Sequence, residues 1–220
     1  MAASKSRILK GISITEPIET PQLSSGEVKN SIIAIGASTG GTTAIHKILE
    51  QFKSPFPPVL VVQHIPQNFS AAFAKHLNSK FPFRVKEAEN GERLVEDTVY
   101  IAPGGRQMTV DSVLKLSIKE GELVSGHAPS VDCLFASLKE CTQKYKCIAV
   151  LLTGMGGDGA HQLLELKNLG VYTIAQDQAT IVVYGMPRIA AELGATCTVL
   201  PLHNIAKEIL CRLKKSSWAA

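Results

Sequence analysis

Ser31-Ile32-Ile33-Ala34-Ile35-Gly36-Ala37-Ser38-Thr39-Gly40-Gly41-Thr42 is the stretch on which the fold turns. A short β-branched run comes first and predicts a strand over 32–36. The glycines mark a sharp turn, and the residues after them predict a helix over 42–52. A strand running through a glycine turn into a helix is the first half of a crossover unit, the building block of parallel sheets.

The same alternation recurs along the chain. A strand over 59–63 precedes a turn at Pro66 and a helix over 68–79, whose apolar face is Phe69, Ala72, Phe73 and Leu77. Ser130 predicts the cap of a helix that buries Val131, Leu134, Phe135 and Leu138. A strand over 148–153 leads through Gly154-Met155-Gly156-Gly157-Asp158-Gly159 into a helix over 160–169, which Gly170 ends. Strands over 171–175 and 197–200 and helices over 186–193 and up to about 213 follow. Between Arg84 and Lys119 the pattern changes to short strands broken by turn residues, which predicts an antiparallel hairpin region inserted in the α/β scheme. The expected fold is one α/β domain: a Rossmann-like, doubly wound, mostly parallel sheet with helices on both faces and a hairpin insertion. Residues 1–30 lack a sustained apolar period and are expected to form a flexible tail or linker. The domain is expected over 31–214, with a short C-terminal tail over 215–220.

Composition narrows the function classes. The chain has 220 residues, a formal charge of +4 and 45% hydrophobic residues, ordinary values for a globular domain. The basic cluster Lys207, Arg212, Lys214 and Lys215 has no interleaved aromatics and suits a helix end, so nucleic acid is not an expected partner. The five cysteines are odd in number and lack a Cys-x-x-Cys pair or a histidine at zinc-finger spacing. Free thiols in a reducing cytoplasm are expected, with no metal and no cofactor. The longest apolar runs, over 57–62 and 148–152, fall far short of the ~20 residues that span a bilayer.

Parallel sheets bind ligands beyond the carboxyl ends of their strands. Ser38, His64 and Asp158 each follow such a strand, and a hydroxyl, an imidazole and a carboxylate on one edge are the set needed for acyl transfer. Each has a plainer alternative. Gly36-Ala37-Ser38-Thr39-Gly40 fits a nucleophile elbow, but its glycines could also cradle a phosphate at a helix N-terminus. His64 could simply hydrogen-bond a backbone carbonyl, and His127 is its rival as base. Asp158 could cap the helix over 160–169, and Asp177 is its rival as the carboxylate. A nucleotide- or phosphate-binding module and a catalytically silent interaction domain therefore stand beside the hydrolase reading.

The chain resembles the catalytic domain of the CheB family, the chemotaxis protein-glutamate methylesterases. The matching stretches are Ile33 to Gly41, Gln63-His64-Ile65-Pro66, Tyr100-Ile101-Ala102-Pro103-Gly104, Pro129-Ser130-Val131-Asp132, Leu152 to Gly159 and Gly185-Met186-Pro187-Arg188. They run in the family's order across about residues 31 to 213. The resemblance implies a triad of Ser38, His64 and Asp158, with Thr39 and Met155 as oxyanion or pocket contacts. It implies hydrolysis of glutamate γ-methyl esters on the cytoplasmic helices of methylated chemoreceptors, releasing methanol, and deamidation of receptor glutamines. Two departures stand out. The family's full-length form carries a receiver domain of roughly 120 residues, a common single-domain length, and 1–30 is too short to be one. Ser125-Gly126-His127-Ala128 also lacks an arginine that the family carries before Pro-Ser-Val-Asp.

Overall fold

The computed structural model describes residues 20–215. Of the expected tails over 1–30 and 215–220, residues 1–19 and 216–220 lie outside the described residues. A short helix, α1 (Ser25–Val28), opens the described chain, and its cap Ser24 and Glu27 bond reciprocally. Leu23 and Val28 are buried in the core, so the packed body begins before residue 31.

β1 (Ser31–Ala37) is buried along its whole length, as a strand covered on both faces must be. It leads into α2 (Gly41–Leu49) and β2 (Val59–Gln63), and α3 (Ser70–Asn78) follows. Next come β3 (Arg84–Glu87), β4 (Thr98–Ile101), β5 (Gln107–Val110) and β6 (Leu116–Lys119). The second half holds α4 (Val131–Leu138), β7 (Lys146–Leu151), α5 (Ala160–Asn168), β8 (Tyr172–Gln176), α6 (Met186–Glu192), β9 (Thr198–Leu200) and α7 (Leu202–Lys214).

Seven strands form one parallel sheet in the order β3-β4-β2-β1-β7-β8-β9. The remaining two, β5 and β6, form a separate antiparallel hairpin. The region over 84–119 is thus only half hairpin, because β3 and β4 extend the main sheet. β4 is buried throughout and pairs on both sides, which a hairpin strand lying outside the sheet would not do.

Alternate residues of β1 serve two cores. Ile33 and Ile35 pack with Ile45, Ile48, Ile205 and Ile209 of α2 and α7. Ile32 and Ala34 pack with Val131, Leu134, Phe135 and Leu163 of α4 and α5, and the hairpin adds Met108 and Val110. Gly36 lets α4 come close. A Cβ there would overlap Val131 Cγ1. Gly36→Ala should therefore destabilise the protein by about 1–3 kcal/mol through overpacking, read as a lower urea midpoint.

All five cysteines are free. Burial raises the Cys141 thiol to about 11, and it pushes Cys147 up further. An aromatic disulfide reagent should leave these two unlabelled in the native protein and modify all five in denaturant. Native labelling of Cys147 would contradict this packing.

Candidate active site

The strand order reverses at β1, whose neighbours β2 and β7 both run parallel to it, and such a switch point opens a crevice at the carboxyl edge. Ser38 leaves β1 there, His64 leaves β2, and Asp158 lies in the turn after β7. The His64 N–H bonds Ala37 O at 3.0 Å, so Ser38 and His64 start from adjacent strand ends. The Ser38 N–H bonds Thr153 O at 2.8 Å, which ties the serine to β7 as well. Gly154 lies against the serine, since a Cβ at that position would be 2.6 Å from Ser38 Cβ.

His64 Nε2 meets Asp158 Oδ2 at 2.7 Å, with both side chains almost wholly buried. Asp158 also accepts from Ser130 Oγ at 2.8 Å, Val131 N at 2.7 Å and Asp132 N at 3.0 Å. Burial opposes ionisation of this carboxyl, but the hydrogen bonds from His64, the α4 amides and Ser130 outweigh it and hold its pKa below the ordinary value. An ionised Asp158 can only accept, so Nε2 is the donor in this contact. Nδ1 is buried and has no partner among the described residues. Ser38 Oγ likewise has no hydrogen bond among them, to His64 or to any other group.

Asp158 does cap a helix, but it caps α4, far away in sequence, and not α5, whose N-cap is Gly159. Asp177 spends Oδ1 on its own turn, accepting from Thr180 N at 3.0 Å and Thr180 Oγ1 at 2.6 Å. His127 stacks face to face on His64, with ring centroids 3.7 Å apart and planes at 18°. Thr39 and Met155 both have exposed side chains, Met155 at 74%. Their backbone N–H groups find no acceptor among the described residues, and both lie in the loops that flank Ser38.

Sequence reasoning missed the polar braces below the site. Gln63 Nε2 donates to Ser38 O at 2.8 Å and to His64 O at 3.0 Å, joining the two loops. Thr153 Oγ1 donates to Thr39 O at 2.7 Å, and Gln107 Oε1 accepts from Ser130 N at 2.9 Å. The readable signal was a glutamine at a strand end, Gln63, where an apolar run would otherwise continue. No group of His, Cys, Asp and Glu among the described residues could hold a metal ion, and none of their helices is long and apolar enough to cross a membrane.

Comparison with known proteins gives one family. A sequence model described as CheB methylesterase matches residues 33–209. A protein of Bradyrhizobium diazoefficiens, named protein-glutamate methylesterase/protein-glutamine glutaminase of group 3 operon, is 46% identical over 182 residues, covering 81% of this chain and 50% of its own length. A Photorhabdus laumondii protein-glutamate methylesterase/protein-glutamine glutaminase is 42% identical over 207 residues, covering 92% of this chain and 59% of its own. The chain spans a little over half the length, or about half, of these curated relatives. The crystal structure of the Thermotoga maritima CheB methylesterase catalytic domain superposes with a TM-score of 0.77 at 34% identity, covering 84% of this chain and all of that one.

Proposed function

Because the chain belongs to the CheB methylesterase family, we propose that it hydrolyses glutamate γ-methyl esters on bacterial chemoreceptors, with Ser38 as nucleophile, His64 as base and Asp158 as the orienting carboxylate. The observation that carries this reading is the 2.7 Å contact between His64 Nε2 and Asp158 Oδ2, which fixes Nε2 as the donor and leaves Nδ1 without a partner among the described residues.

Ser38 Oγ attacks the ester carbonyl as its proton passes to His64 Nδ1. Asp158 stabilises the resulting imidazolium without taking a proton itself. The N–H groups of Thr39 and Met155, which have no acceptor among the described residues, are the proposed oxyanion donors. His64 then gives its proton to the departing methoxide, and methanol leaves. A water molecule, deprotonated by His64, hydrolyses the acyl-enzyme and returns a glutamate carboxylate. Deamidation of receptor glutamines follows the same steps with ammonia leaving; amides are less reactive than esters, so it should run more slowly. The receptor's cytoplasmic helices are the proposed partner, which places the protein in the cytoplasm, and residues 31–214 with Leu23 and Val28 are the proposed catalytic unit. The test is methanol release from methylated receptor membranes by the wild type and by Ser38→Ala.

A further inference from the structure

A tight turn next to the site is built in a way that the steps above do not use. Val124 and His127 pair through both backbone bonds, Val124 N to His127 O at 3.1 Å and His127 N to Val124 O at 2.9 Å. The two residues between them, Ser125 (φ 52°) and Gly126 (φ 80°), both lie in the left-handed region. A serine persists in that region where its surroundings over-determine it. Here Ser125 Oγ donates to Asp132 Oδ2 at 2.7 Å, fastening the turn to the first turn of α4. Gln107 Nε2 donates to His127 O at 2.9 Å and to Glu122 O at 3.2 Å, fastening it to β5. The same glutamine accepts from Ser130 N, beside the amides that hold Asp158.

The product of this bracing is the position of one ring. His127 lies flat on His64 at 3.7 Å. Asp158 restrains His64 at Nε2 only, and a ring held at one corner can still tilt about that bond. A second ring stacked on its face removes that freedom. We propose that His127 is a positioning residue, which holds the plane of His64 so that Nε2 stays on Asp158 while Nδ1 stays open to the serine. The proposal rests on the reading of Ser38, His64 and Asp158 given above. Burial, and then the neighbouring His64, hold His127 below the ordinary histidine value. The covering ring is therefore neutral near pH 7 and adds no second charge when His64 becomes an imidazolium.

The test compares His127→Ala and His127→Phe by methanol release from methylated receptor membranes, with Ser38→Ala run alongside. A positioning ring affects the chemical step, so His127→Ala should lower kcat by about 10- to 100-fold, the usual effect of a misplaced catalytic group, with KM little changed. His127→Phe keeps the stack without the ring nitrogens and should restore most of kcat. A folded His127→Ala protein with wild-type kcat overturns the proposal. So does a folded His127→Phe protein as impaired as His127→Ala, since the nitrogens and not the stack would then matter. If the alanine variant does not fold, the phenylalanine variant decides: a kcat near wild type supports the proposal, and a folded protein with kcat at least about 10-fold lower overturns it. Loss of activity in Ser38→Ala beside unchanged His127→Ala removes only this proposal, whereas activity retained in Ser38→Ala removes the underlying triad.

Discussion

Ser38→Ala is expected to cut methanol release from methylated receptor membranes by a factor on the order of 10⁶, leaving only what binding and the oxyanion donors supply. The fold should be indifferent to the change. Ser38 Oγ makes no hydrogen bond among the described residues, and alanine keeps the Cβ that packs against Gly154. The backbone bond from Ser38 N to Thr153 O survives the substitution. Activity and stability should therefore separate cleanly, with a urea midpoint equal to wild type beside the lost turnover. Wild-type turnover in this variant would remove the serine from the mechanism.

Asp158→Asn is expected to lower kcat by about 10⁴-fold and also to destabilise the protein, so the two effects do not separate here. Every hydrogen bond to this carboxylate comes from a donor: Ser130 Oγ and Asp132 N on Oδ1, His64 Nε2 and Val131 N on Oδ2. An amide must turn its NH₂ toward one of these pairs. Facing Oδ2's partners, it drives His64 into the other tautomer, with hydrogen on Nδ1, and the base is lost. Facing Oδ1's partners, it sets an N–H against the Asp132 amide. A buried donor left without an acceptor costs about 1–3 kcal/mol.

The pH dependence has a definite sign. The folded-state pKa of Asp158 lies below its unfolded value, so its contribution is fully present above the ordinary carboxylate value of about 3.9 and is lost as pH falls through the lower folded value. The stability gap between wild type and Asp158→Asn should thus be constant near neutrality and close in acid. Asp132 works the other way. Burial, and then repulsion from Asp158, raise its carboxyl against the bond from Ser125, so its ionisation weakens the fold as pH rises toward neutrality. Denaturant midpoints of the two proteins from about pH 2 to pH 7 check the sign.

The crossover units were readable because each leaves a local trace: a β-branched run, glycines, then helical spacing. Placing Ser38, His64 and Asp158 on one edge needed only the rule that parallel strands all point the same way. The partner of Asp158 was not readable in this manner. The stretch Asp158-Gly159-Ala160 looks like the start of α5, yet the carboxylate serves α4, which begins at Val131. Capping is read from neighbours in sequence, whereas this cap is made across a tertiary contact. β3 was hidden for a different reason. Arg84 to Glu87 alternates and carries three charges, as an edge strand does, and nothing local shows that its partner is β4 in the main sheet. Leu23 and Val28 escaped because two apolar residues in a polar stretch make no period, although the core has room for both.

The missing side chain at Gly36 and the γ-methyls of Val131 fill a single volume between β1 and α4. Natural variation at these two places should consequently be correlated: a lineage that gains a methyl at 36 has to shed one at 131. Since the amide of 131 also donates to the Asp158 carboxylate, that exchange would be tuned against the setting of this carboxylate as well as against packing.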